Sequence, residues 1–166
     1  LASDDLLMVV DTSDTTGSTV GTSKKVNNEQ IIHTHKVSIT ASEFQSMDAT
    51  GSAGTFKELL PASGTGLFYV ILNVTINTNV TTQDTSATNL FISYDSTGIS
   101  NYVIQHRRFG HNQPSASYQF APLPFQSSGG DLGTLTTKTL VMYSSQNFTG
   151  DFTADAYVTY RKCSIV

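Results

Sequence analysis

From residue 36 onward, apolar and polar positions alternate in short runs, the period-two pattern of strands with one buried face. Lys36–Thr40 sets Val37 and Ile39 on one side, and Thr55–Leu60 is a second run, closed by Pro61 and the turn Ser63-Gly64-Thr65-Gly66. The longest run, Leu67–Asn77, puts Phe68, Val70, Leu72, Val74 and Ile76 on one face, while the other changes from Leu67, Tyr69 and Ile71 to Asn73 and Thr75. Asn89–Tyr94 and Tyr102–His106 read as a hairpin across Asp95-Ser96-Thr97-Gly98, and Thr136–Tyr143 and Phe152–Arg161 complete the set. Ser42–Met47 reads instead as one helical turn capped by Ser42, with Phe44 and Met47 three apart. Thr78–Thr88 is polar and lacks Gly and Pro, which predicts a long loop. Phe109–Gly133 carries Pro114, Pro122 and Pro124 among Tyr118, Phe120, Leu123 and Phe125, a long apolar excursion of the kind that serves an interface. Strands of this number and length predict an all-β, jelly-roll-like antiparallel β-sandwich over residues 36–166.

Residues 1–35 read differently, as an extended N-terminal arm. Leu6, Leu7, Met8, Val9 and Val10 make one short strand, but the polar stretch from Asp11 to Ser23, with Gly17 and Gly21, buries too little to order itself. Lys24-Lys25-Val26 then leads to Asn27 and Asn28, either of which caps a single turn ending in Ile31 and Ile32. Such an arm is expected to order against a partner.

Composition narrows the class. The 166 residues suit one domain, and only 13% are charged, against roughly 25% in an average domain, so neutral hydroxyls must cover much of the surface. A net charge of −4 argues against a nucleic-acid partner, which calls for a basic face. The apolar runs fall far short of the roughly 20 residues that span a bilayer, and no signal-peptide pattern opens the chain, so no membrane partner is expected. The single cysteine, Cys163, leaves stability to packing or association.

Few residues suggest chemistry. His33 and His35 alternate on an extended chain and point the same way. Two ligands do not close a site, but three chains meeting on an axis would give six nitrogens around a transition metal; the plainer reading is two solvated histidines at a hinge. His106-Arg107-Arg108-Phe109-Gly110-His111 concentrates positive charge that suits a carboxylate, a phosphate or an acidic neighbour, or else marks a solvated loop. Asp4, Asp5, Asp11 and Asp14 lack the spacing of a calcium loop, and Asp131 and Asp151 follow glycines as turn formers do. Three Asn-x-Thr triplets, at Asn73, Asn79 and Asn147, are expected by chance in a chain so rich in Ser and Thr. No nucleophile elbow and no phosphate-cradling glycine loop is present, so no enzyme is predicted.

Two stretches resemble modules of tailed-bacteriophage virion proteins. The arm, with Asp5-Leu6-Leu7-Met8-Val9-Val10-Asp11, then Ser23-Lys24-Lys25-Val26 and Asn28-Glu29-Gln30-Ile31, is similar to the anchoring pattern that opens many phage fibre and virion structural proteins. The segments Val37–Phe44, Lys57–Gly66 and Thr149–Phe152 leading to Tyr157–Arg161 are similar to a small β-sandwich module of phage structural proteins. The inserted stretches 78–88 and 109–133 depart from that pattern. The resemblance implies a non-enzymatic virion component, expected as a homotrimer. One form is a capsid decoration or cement protein held to the major capsid protein by Leu6, Leu7, Val9, Val10, Lys24, Lys25, Ile31 and Ile32, with Arg107, Arg108, Tyr118 and Phe120 on the long loop. The alternative is a tail or tail-fibre subunit whose Tyr94, Tyr102, Tyr118 and Phe120 stack on host glycans. A third class, a cellular jelly-roll lectin, lacks the disulfides expected of it.

Overall fold

The computed structural model describes residues 7–11, 22–26, 31–49, 55–94, 102–121 and 138–164. Among the described residues ten strands and one helix follow in order: β1 (Leu7–Asp11), β2 (Thr22–Val26), β3 (His33–Ile39), α1 (Ala41–Ser46), β4 (Lys57–Leu60), β5 (Leu67–Thr82), β6 (Leu90–Tyr94), β7 (Tyr102–His106), β8 (Ser117–Phe120), β9 (Leu140–Ser144) and β10 (Asp151–Ser164). Strands β1 and β2 pair with each other as a separate two-stranded sheet, Leu7 opposite Val26 and Val9 opposite Lys24. The other eight form two antiparallel four-stranded sheets, β3-β10-β5-β8 and β4-β9-β6-β7. The pairs are nested, outermost β3 with β10, then β4 with β9, β5 with β8, and β6 with β7 as the innermost hairpin. This is the jelly roll, an all-β sandwich, expected from the strand pattern.

The core between the sheets is drawn from one face of each strand. Val74, Ile76, Phe152, Ala154, Ala156 and Val158 line it from the first sheet, Leu90, Ile92, Leu140 and Met142 from the second. Helix α1 closes one end with Phe44, whose ring lies 4.5 Å from Phe152 and 5.5 Å from Phe148. Burying an aromatic ring of this kind contributes on the order of 3 kcal/mol before ordering costs.

Four expectations change. The helix cap is Thr40, not Ser42: the Thr40 hydroxyl accepts from the Glu43 N–H and the Glu43 carboxylate accepts from the Thr40 N–H, a reciprocal capping box that Lys57 tightens with a 2.6 Å ion pair. The long loop expected at 78–88 is strand as far as Thr82, because β10 pairs alongside it and the hydroxyls of Thr78 and Ser115 bond across to backbone groups of the 115–116 segment and Val80. The predicted face of β5 holds only in its second half. Tyr69 and Ile71 are buried before Leu72 and Val74 and Ile76 after it, because Tyr160 pairs with Ile71 and Thr159 with Asn73, which leaves Leu72 as an extra, bulged residue. Finally, β3 begins at His33, opposite Tyr160, so the sheet takes in three residues that the pattern assigned to the arm. The turn expected at 27–30 lies outside the described residues.

Candidate attachment surfaces

The sandwich has two distinct ends. At one, β5 runs out at Thr82, β7 at His106 and β9 at Ser144, and three connections meet over the Phe44, Phe109, Phe148 and Phe152 rings. Asp84 organises them. Its side chain is fully buried, and one carboxylate oxygen accepts from the Thr149 N–H (2.8 Å), the Thr149 hydroxyl (2.8 Å) and the Gly150 N–H (3.3 Å). The Ser86 hydroxyl lies 2.6 and 2.7 Å from its two oxygens and also contacts the Thr88 hydroxyl. Burial alone would raise this carboxyl, but the donors from Ser86, Thr149 and Gly150 outweigh it and hold the pKa below the ordinary value. Gly150 permits the approach, since a Cβ there would stand 2.6 Å from the Asp84 nitrogen and 2.8 Å from the Thr82 carbonyl.

The same carboxylate residue reaches the turn at 107–112. The Asp84 carbonyl accepts from the Asn112 N–H at 2.9 Å, and His111 Nδ1 donates to the Ser86 carbonyl at 2.9 Å. Arg108 and Asn112 both sit at positive φ, +53° and +50°, a left-handed conformation unusual for arginine. Arg108 is held there by Asn89, whose side-chain oxygen accepts from its N–H at 3.3 Å. The two arginine side chains, Arg107 and Arg108, are exposed at the tip.

The other end carries the departure of the arm. Ile31 is half-buried, whereas Ile32 is 61% exposed, the one large exposed aliphatic among the described residues. The backbones of Leu7, Val9, Val10, Lys24 and Lys25 lie in the β1–β2 hairpin, and their side chains, like all of Leu6, lie outside the described residues. Arg107 and Arg108 thus stand at the Asp84 end of the sandwich, and Ile31 and Ile32 at the other.

Two further candidates belong to the core. Phe120 is buried, and Tyr118 packs against the same cluster; the rings of both, with Phe109, surround His106 at 4.8 to 6.3 Å from one another or from its imidazole. They close the seam between β7 and β8, the edge strands of the two sheets. Tyr94 is likewise buried, its hydroxyl donating to the Tyr69 carbonyl at 2.6 Å. Tyr94 and Phe120 are thus packed inside the chain, whereas Tyr118 stays partly exposed at the edge of the cluster. The side chain of Tyr102 lies outside the described residues.

His33 and His35 do fall on one side of β3. His33 is half-buried and stacks on Tyr160 with ring centroids 5.4 Å apart, and His35 is exposed. Among the described residues no three His, Cys, Asp or Glu side chains are grouped to hold a metal ion, so a metal shell at this pair requires donors from other copies. Also among the described residues, no helix is long and apolar enough to cross a membrane. Asp84 is what the sequence reading missed, because its partners are 65 and 66 residues away in the chain.

The architecture defines an all-β protein of the double-sheet jelly-roll kind, with pinned loops at one end and an appended strand pair. Compared with solved structures, the chain is similar to one described as "Cyanophage Pam1 capsid asymmetric unit", at a TM-score of 0.38 and 12% identity, over 79% of this chain and 83% of that one. No protein-family model matches the sequence. No curated protein matches it either.

Proposed function

We propose that the chain is a non-enzymatic virion structural protein, a capsid decoration or cement subunit that fastens to coat subunits through its N-terminal segment. The observation that carries this reading is the separation of the β1–β2 hairpin from the two sheets of the jelly roll. A two-stranded hairpin alone is marginal in water, so its order calls for a surface to lie on. The apolar run of β1 and the exposed Ile32 supply the contacts, and an exposed hairpin edge can extend a neighbour's sheet through directional backbone hydrogen bonds. Each aliphatic buried in this way contributes roughly 1.5 to 3 kcal/mol before ordering costs. A homotrimer would multiply modest contacts into firm attachment.

The resemblance of the arm and sandwich segments to phage virion modules supports the same reading. The alternative, a tail or fibre subunit, shares the fastening device. The burial of Tyr94 and Phe120 weighs against their stacking on host glycans, while Tyr118 is partly exposed.

Immunogold electron microscopy of virions decides the location: label distributed over the capsid is expected, and label confined to the tail rejects the decoration role. Removing residues 1–32 is expected to leave a folded domain, because the paired core lies in 33–164, yet to abolish incorporation into particles. Ile32→Asp in the full chain should weaken incorporation without changing the circular dichroism spectrum. Normal incorporation of the truncated chain rejects the proposal.

A further inference from the structure

We infer that the outer face of the β3-β10-β5 sheet is a binding site for neutral, hydroxyl-rich ligands, that is, for uncharged saccharides. A hollow of about 380 Å³ lies on this face over the end of β3 and the facing stretches of β5 and β10, lined by Ser38, Thr40, Asn77, Asn79, Thr153 and Asp155 together with Ile39 and Ala154. That volume is within the range of small-ligand clefts. The register explains the polar lining. Ser38 stands opposite Asp155, Asp155 opposite Asn77, and Asn77 opposite Ser117, so a single row of polar groups crosses all four strands.

The groups in this row are already oriented. The Ser38 hydroxyl donates to Asp155 at 2.7 Å and the Ser117 hydroxyl to Asn77 at 2.7 Å, which orients a carboxylate and an amide within the row. One row further along the sheet, outside the hollow, Tyr157 lies opposite Lys36, whose ammonium stands 5.8 Å from its ring centroid.

The chemistry selects the class of ligand. A protein partner would need apolar or aromatic anchors at the centre of the patch, and the hollow offers hydroxyls, amides and one carboxylate. A phosphate or nucleic acid would need free positive charge, whereas the Lys36 ammonium is paired with Asp155 at 2.8 Å and the face is close to neutral. The Asn77 and Asn79 amides, which both donate and accept, and the hydroxyls beside them match the adjacent hydroxyls of a sugar. This inference is independent of the attachment reading, because the arm takes no part in the site.

The test is an NMR titration of the isotope-labelled full chain with neutral hexasaccharides of glucose, galactose or mannose, and with a sialylated oligosaccharide as the charged arm. The expected result is saturable shift changes confined to residues 38–40, 77–79 and 153–157, with a dissociation constant on the order of 1 mM. Asn79→Ala combined with Thr153→Val should weaken binding about tenfold, as loss of paired polar contacts does. Should that pair unfold the chain, Asn79→Ser alone serves, and Arg161→Ala, exposed toward the far end of β10, should leave binding unchanged. The inference is overturned by no saturable change with any neutral sugar at about 20 mM, about twentyfold above the expected constant, by shifts elsewhere on the chain, by unaltered binding in the Asn79 variants, or by preference for the sialylated probe.

Discussion

Asp84 holds three loops together from a position that a lone carboxylate would avoid, and the donors around it explain why it stays charged. Asp84→Ala strands the buried Gly150 N–H and the part-buried Thr149 N–H, so urea unfolding should show a loss of about 3 kcal/mol. Gly150→Ala should cost about 1 to 3 kcal/mol in the same measurement, because the new methyl meets backbone and not a movable side chain. The acid limb of stability has two parts with worked signs. Burial depresses the His106 pKa below its ordinary 6.5, so the unfolded chain takes up its proton first, and stability falls as pH drops from 6.5 toward the folded-state value. The Asp84 pKa lies below 3.8, so its contribution is whole above 3.8 and is lost as pH falls further, through the folded-state value. Urea midpoints between pH 7 and 3 should therefore decline in two stages, with His106→Phe removing the earlier one.

At the scale of elements, caps and bulges matter more than propensity. Thr40→Ala removes the hydroxyl that begins α1 and should lower stability by about 1 kcal/mol in thermal or urea unfolding. Strand β10 was legible because Phe152, Ala154, Ala156 and Val158 alternate against Thr153, Asp155, Tyr157 and Thr159. In β5 the pattern was ambiguous: from Leu67 to Leu72 both faces are apolar, so nothing in the run marks the bulged residue at which the buried face changes. Thr78–Thr82 looked like loop because its strand character comes from pairing with β10. Tyr118 and Phe120 looked like interface residues because they sit among prolines, while their real partners, Phe109 and His106, become neighbours only when β7 and β8 meet at the seam. The fold class was thus readable from periodicity, and the site geometry was not, since Asp84, Gly150 and the Ser38–Asp155–Asn77 row are assembled by long-range register.

For the whole molecule, the nested pairing joins the beginning and end of the sandwich: β3 and β10 are neighbours, and His33 lies beside Tyr160. The chain therefore enters the sandwich at the end toward which β10 runs out, and the Asp84 loops stand at the opposite end. An arm that grips a particle would place the Arg107–Arg108 turn away from the grip.

That polarity has a practical outcome for anyone wishing to mount cargo. A tag fused beyond residue 164 would emerge beside the gripping segment and compete with it for space. An insertion between Gln113 and Ser115, outside the strands at the opposite pole, would ride on the outward tip.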